Sequence, residues 1–368
     1  MSFTTNALLL VCMSMASPQL YAANNAVRKS MNFHQEEVSY RNNAADVTLT
    51  GTLTLPQATT PVAAVVLIAG YGPSDRDATR ANSYFKVLAE YLTEQGIAVL
   101  RYDKRGAGQS TGSYATATSR DFANDAFAGI AYLKTRTEVN VRKIGLVGIS
   151  EGGLIAAMLA AESSDVAFTV LMAPAVDSSV ESFVEQSSLQ LRADGASIGF
   201  IERDKQIRRH IHTIVTQEAD AVKAEEMLRA ALTDYLASIP ESDKVEATTL
   251  PFAFTEAKAS MLVAVFNAQW YRFYWNYDAA SALQRITTPL LCVNGTTDWI
   301  MSPRRAFARL EQSLPKAGNS TLVELPNLNH CFQTCTTGAL AEYATLKEAI
   351  APVALKTIGD WIKVIINK

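Results

Sequence analysis

Residues 143–153 read Lys-Ile-Gly-Leu-Val-Gly-Ile-Ser-Glu-Gly-Gly, and this stretch determines how the rest of the chain is interpreted. Its apolar first half is typical of a buried strand, and the helix formers at residues 154–161 predict a helix directly after it. Between the two lies Gly-Ile-Ser-Glu-Gly at 148–152, which fits the pattern G-x-S-x-G. In a strand–turn–helix context this pattern strains the serine backbone and holds the hydroxyl above the sheet edge. We therefore predict that Ser150 is a nucleophile, flanked by glycines because side chains there would collide across the turn.

The size and charge of the chain limit the classes of protein to which it can belong. With 368 residues it can form one large α/β domain with an insertion, or two domains. A core of this size needs neither disulfides nor a metal ion for stability. The formal net charge of −3 argues against nucleic acid or an anionic membrane as the main partner. An ordinary enzyme-like surface fits this charge balance better.

The N-terminal segment resembles an export signal. The first 25 residues carry no charged side chain, and the apolar run at residues 7–15 is too short to span a bilayer. The missing Lys or Arg before that run departs from the usual signal, whereas the small residues that follow Tyr21 suit cleavage. We predict a signal peptide at residues 1–23, cut near Ala22 or Ala23, and a periplasmic or secreted protein without stable membrane insertion.

Apolar runs and segments of helical spacing alternate on both sides of the opening stretch. Strands are predicted at residues 37–40, 47–55, 62–69, 97–102, 167–172, 289–294 and 320–325, the first two as an antiparallel hairpin. Helices are predicted at residues 83–95, 121–135, 303–314 and 351–366. Strands that alternate with helices predict a mostly parallel central sheet with right-handed crossovers.

The pattern changes between residues 178 and 285. This segment is charged, has helical spacing and contains no clear core strand. It ends in an aromatic cluster: Phe266, Trp270, Tyr271, Phe273, Tyr274, Trp275 and Tyr277. We predict a helical cap at residues 178–285 over the carboxyl edge of the sheet, inserted between core segments at residues 24–177 and 286–368. Most of the aromatic rings are expected in the core of the cap, with one or two facing the pocket.

The four histidines narrow the choice of a general base. A serine hydroxyl is a weak nucleophile until a base takes its proton. His34 precedes the first strand, and His210 and His212 lie on a charged helix of the cap. His330 alone follows a predicted sheet strand, and we predict that it is the base.

An acid that orients the base should also follow a sheet strand, between Ser150 and His330 in the chain. Asp298 lies four residues beyond the strand that ends at residue 294, and it is the predicted acid. Asp278, at the end of the cap, is the alternative.

Two backbone N–H groups are expected to stabilise the oxyanion that forms during attack on an ester. One should belong to Glu151, the residue after the nucleophile. The other should belong to the loop after the strand at residues 62–69, where Tyr71 lies between two glycines. The side chain of Glu151 is expected to be structural, with Arg76 or Arg105 as its partner.

Cys331 and Cys335 flank a short span beside His330. In an oxidising compartment they could form a disulfide that rigidifies the loop. Such a short disulfide loop is geometrically demanding, so two unpaired thiols remain an equal alternative.

Five segments carry a family resemblance. They are Gly70-Tyr-Gly-Pro-Ser-Asp-Arg-Asp77, Asp103-Lys-Arg-Gly-Ala-Gly-Gln-Ser110, Gly148-Ile-Ser-Glu-Gly-Gly153, Gly295-Thr-Thr-Asp298 and Leu328-Asn-His-Cys-Phe-Gln333. Together they resemble the α/β-hydrolase superfamily, and more narrowly the bacterial EstD-type carboxylesterases, a group close to the serine aminopeptidase-like hydrolases. The resemblance implies an α/β-hydrolase fold and a triad at Ser150, Asp298 and His330. It also implies esterase activity on short to medium acyl chains, with no cofactor and no metal.

Other activities on the same scaffold stay open from the sequence. A serine peptidase or an acyl thioesterase would use nearly identical chemistry. A peptidase would need a cap carboxylate for the substrate amine, and the candidates are Glu218, Asp220, Glu225 and Glu226. A non-catalytic binding protein is disfavoured by an intact triad. Haloalkane and epoxide hydrolysis are disfavoured because the enzymes of this fold that carry them out have an aspartate at the nucleophile position.

Overall fold

A computed structural model describes residues 33–250, 252–316 and 319–368. The predicted signal peptide lies outside these residues. The described chain contains an eight-stranded sheet with the order β1-β2-β4-β3-β5-β6-β7-β8. Its strands are β1 (Phe33–Asn42), β2 (Val47–Pro56), β3 (Val62–Ile68), β4 (Ala98–Tyr102), β5 (Val139–Ile149), β6 (Phe168–Met172), β7 (Leu290–Gly295) and β8 (Ser320–Leu325). Strand β2 pairs antiparallel with β1 and β4, and the other neighbours are parallel, so the mostly parallel sheet is confirmed.

Helices cover both faces of this sheet. They are α1 (Tyr84–Glu94), α2 (Ser119–Leu133), α3 (Glu151–Glu162), α4 (Val180–Ala193), α5 (Ile198–Gln217), α6 (Ala221–Ala237), α7 (Lys244–Thr249), α8 (Glu256–Phe266), α9 (Gln269–Asn276), α10 (Ala279–Leu283), α11 (Pro303–Ser313), α12 (Leu340–Tyr343) and α13 (Pro352–Ile366). None of the helices in the described ranges is long and apolar enough to cross a membrane.

The unbroken apolar run of β3 reflects burial on both faces. Ala64, Val66 and Ile68 belong to a core cluster shared with helices α2 and α3. Val65 and Leu67 point the other way, into a cluster shared with α1 and α13. Because successive side chains of a strand alternate between faces, a strand covered on both sides must be apolar throughout.

Two strands are longer than the sequence predicted. Strand β1 begins at Phe33, four residues before the predicted start, because each of its residues pairs with β2. Strand β5 begins at Val139, which pairs with Val62 of β3 before the register shifts, and its exposed Arg142 interrupts the apolar signal. Hydrogen bonding to a neighbouring strand does not require apolar side chains, so hydrophobic pattern alone underestimates strand length.

The register brings the ends of the parallel strands to one edge. Ile68 of β3 pairs with Gly148, and Ile149 of β5 pairs with Met172. Gly295 at the end of β7 pairs with Leu325 at the end of β8. The loops that follow β3, β5, β7 and β8 therefore leave the sheet on the same side, and all the predicted site residues lie in them or at the start of α3.

The described residues between β6 and β7 contain helices α4–α10 and no strand, and we call these the cap helices. Their hydrophobic side chains join the core cluster on the α2 and α3 face of the sheet. Helix α9 reaches the carboxyl edge, where the ring of Trp270 lies 4.2 Å from that of Tyr71 between centroids. The cap helices thus pack against the loop that follows β3.

Candidate active site

Ser150 lies at the turn between β5 and α3 in a strained conformation. Its φ of 55° and ψ of −119° place it outside the regions that non-glycine residues normally occupy. A Cβ added to Gly148 would lie 2.0 Å from the carbonyl oxygen of Gly152, and one added to Gly152 would lie 2.0 Å from that of Ile68. The close backbone approach explains why this turn needs glycine at both positions.

Asp298 and His330 form a buried hydrogen-bonded pair. His330 Nδ1 lies 2.8 Å from Asp298 Oδ2, and His330 is 9% exposed and Asp298 3% exposed. The other carboxylate oxygen of Asp298 accepts bonds from the backbone N–H groups of Ile300 and Met301, at 2.8 and 2.9 Å. An ionised Asp298 carboxylate accepts a hydrogen bond from the Nδ1–H group of His330. In a neutral imidazole, Nε2 then carries no hydrogen and can accept a proton.

The loop that carries His330 is held by its own side chains. Asn329 is fully buried, and its Oδ1 accepts bonds from the backbone N–H groups of Cys331 and Gln333, each at 3.0 Å. The His330 N–H donates to the Tyr343 hydroxyl at 3.0 Å. These contacts fix the orientation of the imidazole from the backbone outward.

The structure does not join the serine to this pair by a hydrogen bond. Among the described residues, the Ser150 hydroxyl has no hydrogen-bond partner, although it lies at the same sheet edge as the loop of His330.

Asp278, the alternative acid, and His212 of the cap make other contacts. Asp278 caps helix α10 through the Ser281 N–H, and His212 packs against Trp275, where burial lowers its pKa.

The loop after β3 approaches the serine closely. A Cβ added to Gly70 would lie 3.2 Å from the Cβ of Ser150. The Gly70 carbonyl accepts a bond from Lys104 Nζ at 2.9 Å, and the Gly72 N–H donates to the Tyr114 hydroxyl at 2.8 Å. The backbone N–H groups of Tyr71 and Glu151 donate to no acceptor within the described residues. The two predicted donors are therefore both unengaged.

The α/β hydrolase fold family matches the chain over residues 63–334, which is most of its length. The chain belongs to the α/β-hydrolase family. This confirms the resemblance seen in the five sequence segments, and it accounts for the sheet order and for the turn at Ser150.

Individual proteins resemble this chain over part of its sequence or in its fold. Esterase EstD of Thermotoga maritima is 34% identical over 127 residues, which cover 34% of this chain and 30% of that protein. The chain thus aligns with only about a third of the length of the curated relatives it matches. The structure of α/β hydrolase GrgF from Penicillium superposes with a TM-score of 0.55 and 20% identity, covering 91% of this chain and all of that one. Pyrococcus furiosus esterase Pf2001 gives a TM-score of 0.52 and 17% identity, covering 93% and 94% of the two chains.

The predicted partners of the Glu151 side chain in this α/β hydrolase are wrong. Its carboxylate, 1% exposed, pairs with Lys104 Nζ at 2.7 Å. Arg76 instead pairs with Asp103, and Arg105 pairs with Asp125. Other carboxylates, those of Asp103 and Asp125, already occupy the two arginines.

The Glu151 carboxylate is shared among three donors. Besides Lys104, it accepts bonds from the Ser119 hydroxyl at 2.7 Å and from the indole N–H of Trp270. Burial lowers the pKa of the Lys104 ammonium, and the neighbouring carboxylate opposes this effect. The buried ion pair is thus supported by hydrogen bonds from α2 and from the cap, as a desolvated pair requires.

The cysteines beside His330 are not bonded to each other. Cys292, Cys331 and Cys335 are all free and buried. Burial raises the pKa of Cys331 to about 12, with a further contribution from Asp298. Cys335 lies 3.0 Å from the Thr297 hydroxyl. The second alternative, two unpaired thiols, is therefore the one found in the structure. Burial raises the pKa of both thiols and so disfavours the reactive thiolate.

A cleft lies between the cap helices and the core. Its lining includes three aromatic side chains of α9: Tyr271, Tyr274 and Trp275. Met301, whose N–H binds Asp298, lies on its core side. None of the five predicted site residues lines this cleft, but the Tyr271 ring, which does, lies 6.2 Å from the Tyr71 ring. No group of three or more potential metal ligands occurs in the described residues.

Proposed function

We propose that this chain is a carboxylic-ester hydrolase that works through an acyl-enzyme on Ser150. The observation that carries the proposal is the buried His330–Asp298 hydrogen bond at the sheet edge where the strained Ser150 also lies. A relative 34% identical over part of the chain bears the name esterase, which supports the same class of substrate.

The first half of the reaction forms the acyl-enzyme. Ser150 Oγ attacks the ester carbonyl while His330 Nε2 takes its proton, and Asp298 stabilises the resulting imidazolium. The negative oxygen of the tetrahedral intermediate accepts bonds from the Tyr71 and Glu151 N–H groups. The intermediate then collapses, and the leaving alkoxide takes the proton from His330.

The second half returns the enzyme to its starting state. Water attacks the acyl carbonyl, His330 takes one proton from it, and the same two N–H groups hold the second oxyanion. Collapse releases the carboxylic acid as the proton returns to Ser150. We expect short to medium acyl chains to be the preferred substrates.

The cleft next to α9 offers little support for an aminopeptidase activity. None of the four cap carboxylates that the sequence offered lines the cleft: Glu218, Asp220, Glu225 and Glu226. Asp177 does line it, but Arg305 donates to its carboxylate at 2.9 Å, and that pairing leaves little free charge for a substrate amine. A panel of esters, aminoacyl amides and acyl thioesters separates the three activities.

The test is hydrolysis of p-nitrophenyl acetate and butyrate by wild type and Ser150→Ala. We expect kcat to fall by a factor on the order of 10⁶ in the variant, the loss typical when the nucleophile of a serine hydrolase is removed. Labelling by a fluorophosphonate probe should disappear with it. Ser163→Ala, at the far end of α3, is the matched control and should hydrolyse both esters normally. Full activity in Ser150→Ala would exclude the proposal.

A further inference from the structure

Lys104 occupies an unusual place behind the loop that follows β3. Its side chain is 4% exposed, and its ammonium lies 4.0 Å from the centroid of the Phe122 ring. The ammonium donates to the Gly70 carbonyl at 2.9 Å and to the Glu151 carboxylate at 2.7 Å. One cation thus contacts the two segments that carry the unengaged N–H groups.

The bond to Gly70 constrains the next N–H in the chain. The Gly70 carbonyl and the Tyr71 N–H belong to one peptide unit, which is planar, so fixing the direction of the oxygen fixes the opposite direction of the N–H. On the far side, the Gly72 N–H is bound to the Tyr114 hydroxyl at 2.8 Å. The Gly70 carbonyl and the Gly72 N–H are both held by hydrogen bonds, and the Tyr71 N–H between them is free to bind another acceptor.

The contact with Glu151 constrains the second segment. Ser119 and Trp270 hold the same carboxylate from α2 and from the cap, so the side chain has little freedom. The backbone of Glu151 opens helix α3 directly after the serine. A shift of the ammonium would therefore loosen the position of both N–H groups relative to Ser150.

We propose that Lys104 is a positioning residue for the oxyanion site, which it aligns from behind without touching the substrate. The inference rests on the proposed function, since it assigns a support to the same site. The ammonium also polarises the Gly70–Tyr71 peptide and strengthens its N–H as a donor. The Lys104 ammonium stabilises chiefly the transition state, because the substrate carbonyl carries less negative charge than the oxyanion.

The experiment compares Lys104→Met with Arg105→Met in the full chain. Arg105 is the adjacent buried cation. It pairs with Asp125 at 2.6 Å and makes no hydrogen bond or ion pair with the described loop at Gly70. Both variants lose a buried ion pair, so both should lose stability. We expect Lys104→Met alone to lose kcat, by about tenfold or more but less than the roughly 10²–10³-fold that follows deletion of an oxyanion donor, with KM little changed.

Two further measurements keep the inference testable. If Lys104→Met alone does not fold, the double variant Lys104→Met with Glu151→Gln takes its place. It also removes the buried carboxylate that would otherwise be left without its cation. Affinity for a trifluoromethyl ketone, whose hemiketal oxygen imitates the oxyanion, should weaken with kcat/KM by a similar factor. If Ser150→Ala is inactive, the inference is overturned by an equal loss of kcat in the Lys104 and Arg105 variants, or by an unchanged ketone affinity in Lys104→Met. Full activity in Ser150→Ala overturns the proposed function as well.

Discussion

Asp298 makes hydrogen bonds through both of its carboxylate oxygens. One oxygen faces His330 Nδ1, and the other accepts the N–H groups of Ile300 and Met301. The backbone contacts hold the carboxylate in place, so its remaining freedom is small. The tautomer of the imidazole then depends on the charge of this one side chain.

Asp298→Asn should keep the fold and lose activity. The new amide can still accept from Ile300, but its NH₂ group would face His330 Nδ1 and favour the tautomer that cannot take the serine proton. We expect kcat to fall about 10⁴-fold, as in the equivalent change of a serine protease. The exposed Asp278→Asn is the control and should retain kcat in the same p-nitrophenyl butyrate assay. The reverse result, with Asp278 required and Asp298 dispensable, would contradict the assigned acid.

At the scale of elements, the turn between β5 and α3 depends on close backbone contacts. Gly152 sits where a Cβ would lie 2.0 Å from the carbonyl oxygen of Ile68, on the neighbouring strand β3. Strand β3 is packed on both faces, and α3 is buried in one of the same two core clusters, so neither can readily move away. The turn therefore has no room for a side chain at this position.

Gly152→Ala should destabilise the protein by about 2–3 kcal/mol, because overpacking forces a shift of backbone rather than of a flexible side chain. Urea unfolding monitored by circular dichroism gives the free energy of unfolding. The control is Gly199→Ala near the start of α5, where an added Cβ lies no closer than 3.6 Å to a neighbour. That change should be neutral or stabilise by roughly 0.5 kcal/mol, since alanine is the better helix former. An unchanged stability of Gly152→Ala would refute the close contact.

Across the whole molecule, buried ion pairs tie the loops at the sheet edge to the core. Asp103 illustrates their effect on titration. Burial raises its pKa, but hydrogen bonds from Arg76 and from the Gln109 N–H outweigh burial and hold the pKa below its ordinary value. The unfolded chain therefore binds a proton at Asp103 at a higher pH than the folded chain does.

The pH dependence of stability follows from this sign. The contribution of Asp103 is fully present above its unfolded pKa of about 3.9, and it is lost as the pH falls through the lower folded pKa. We expect the free energy of unfolding, measured in urea from pH 7 to 3, to fall at the acid end. Arg76→Met should make that fall shallower, whereas the exposed Arg142→Met should not. Equal slopes in the two variants would show that the Arg76 pair does not shift Asp103.

The sequence by itself determined what depends on near neighbours in the chain. Alternating apolar runs and helical spacing predicted the mostly parallel sheet, and strand Ser320–Leu325 has its predicted bounds. The glycines around Ser150 predicted the sharp turn, because local sterics decide which backbone conformations a residue can adopt. The family was also accessible, since its segments are short and local.

Tertiary structure decided which distant side chains meet. Glu151 pairs with Lys104 rather than with Arg76 or Arg105, because the two arginines meet other carboxylates first. The thiols beside His330 are free, and the indole N–H of Trp270 reaches across from the cap to Glu151. Such choices depend on the packing of whole elements, and a linear pattern carries no information about the distance between residues far apart in the chain.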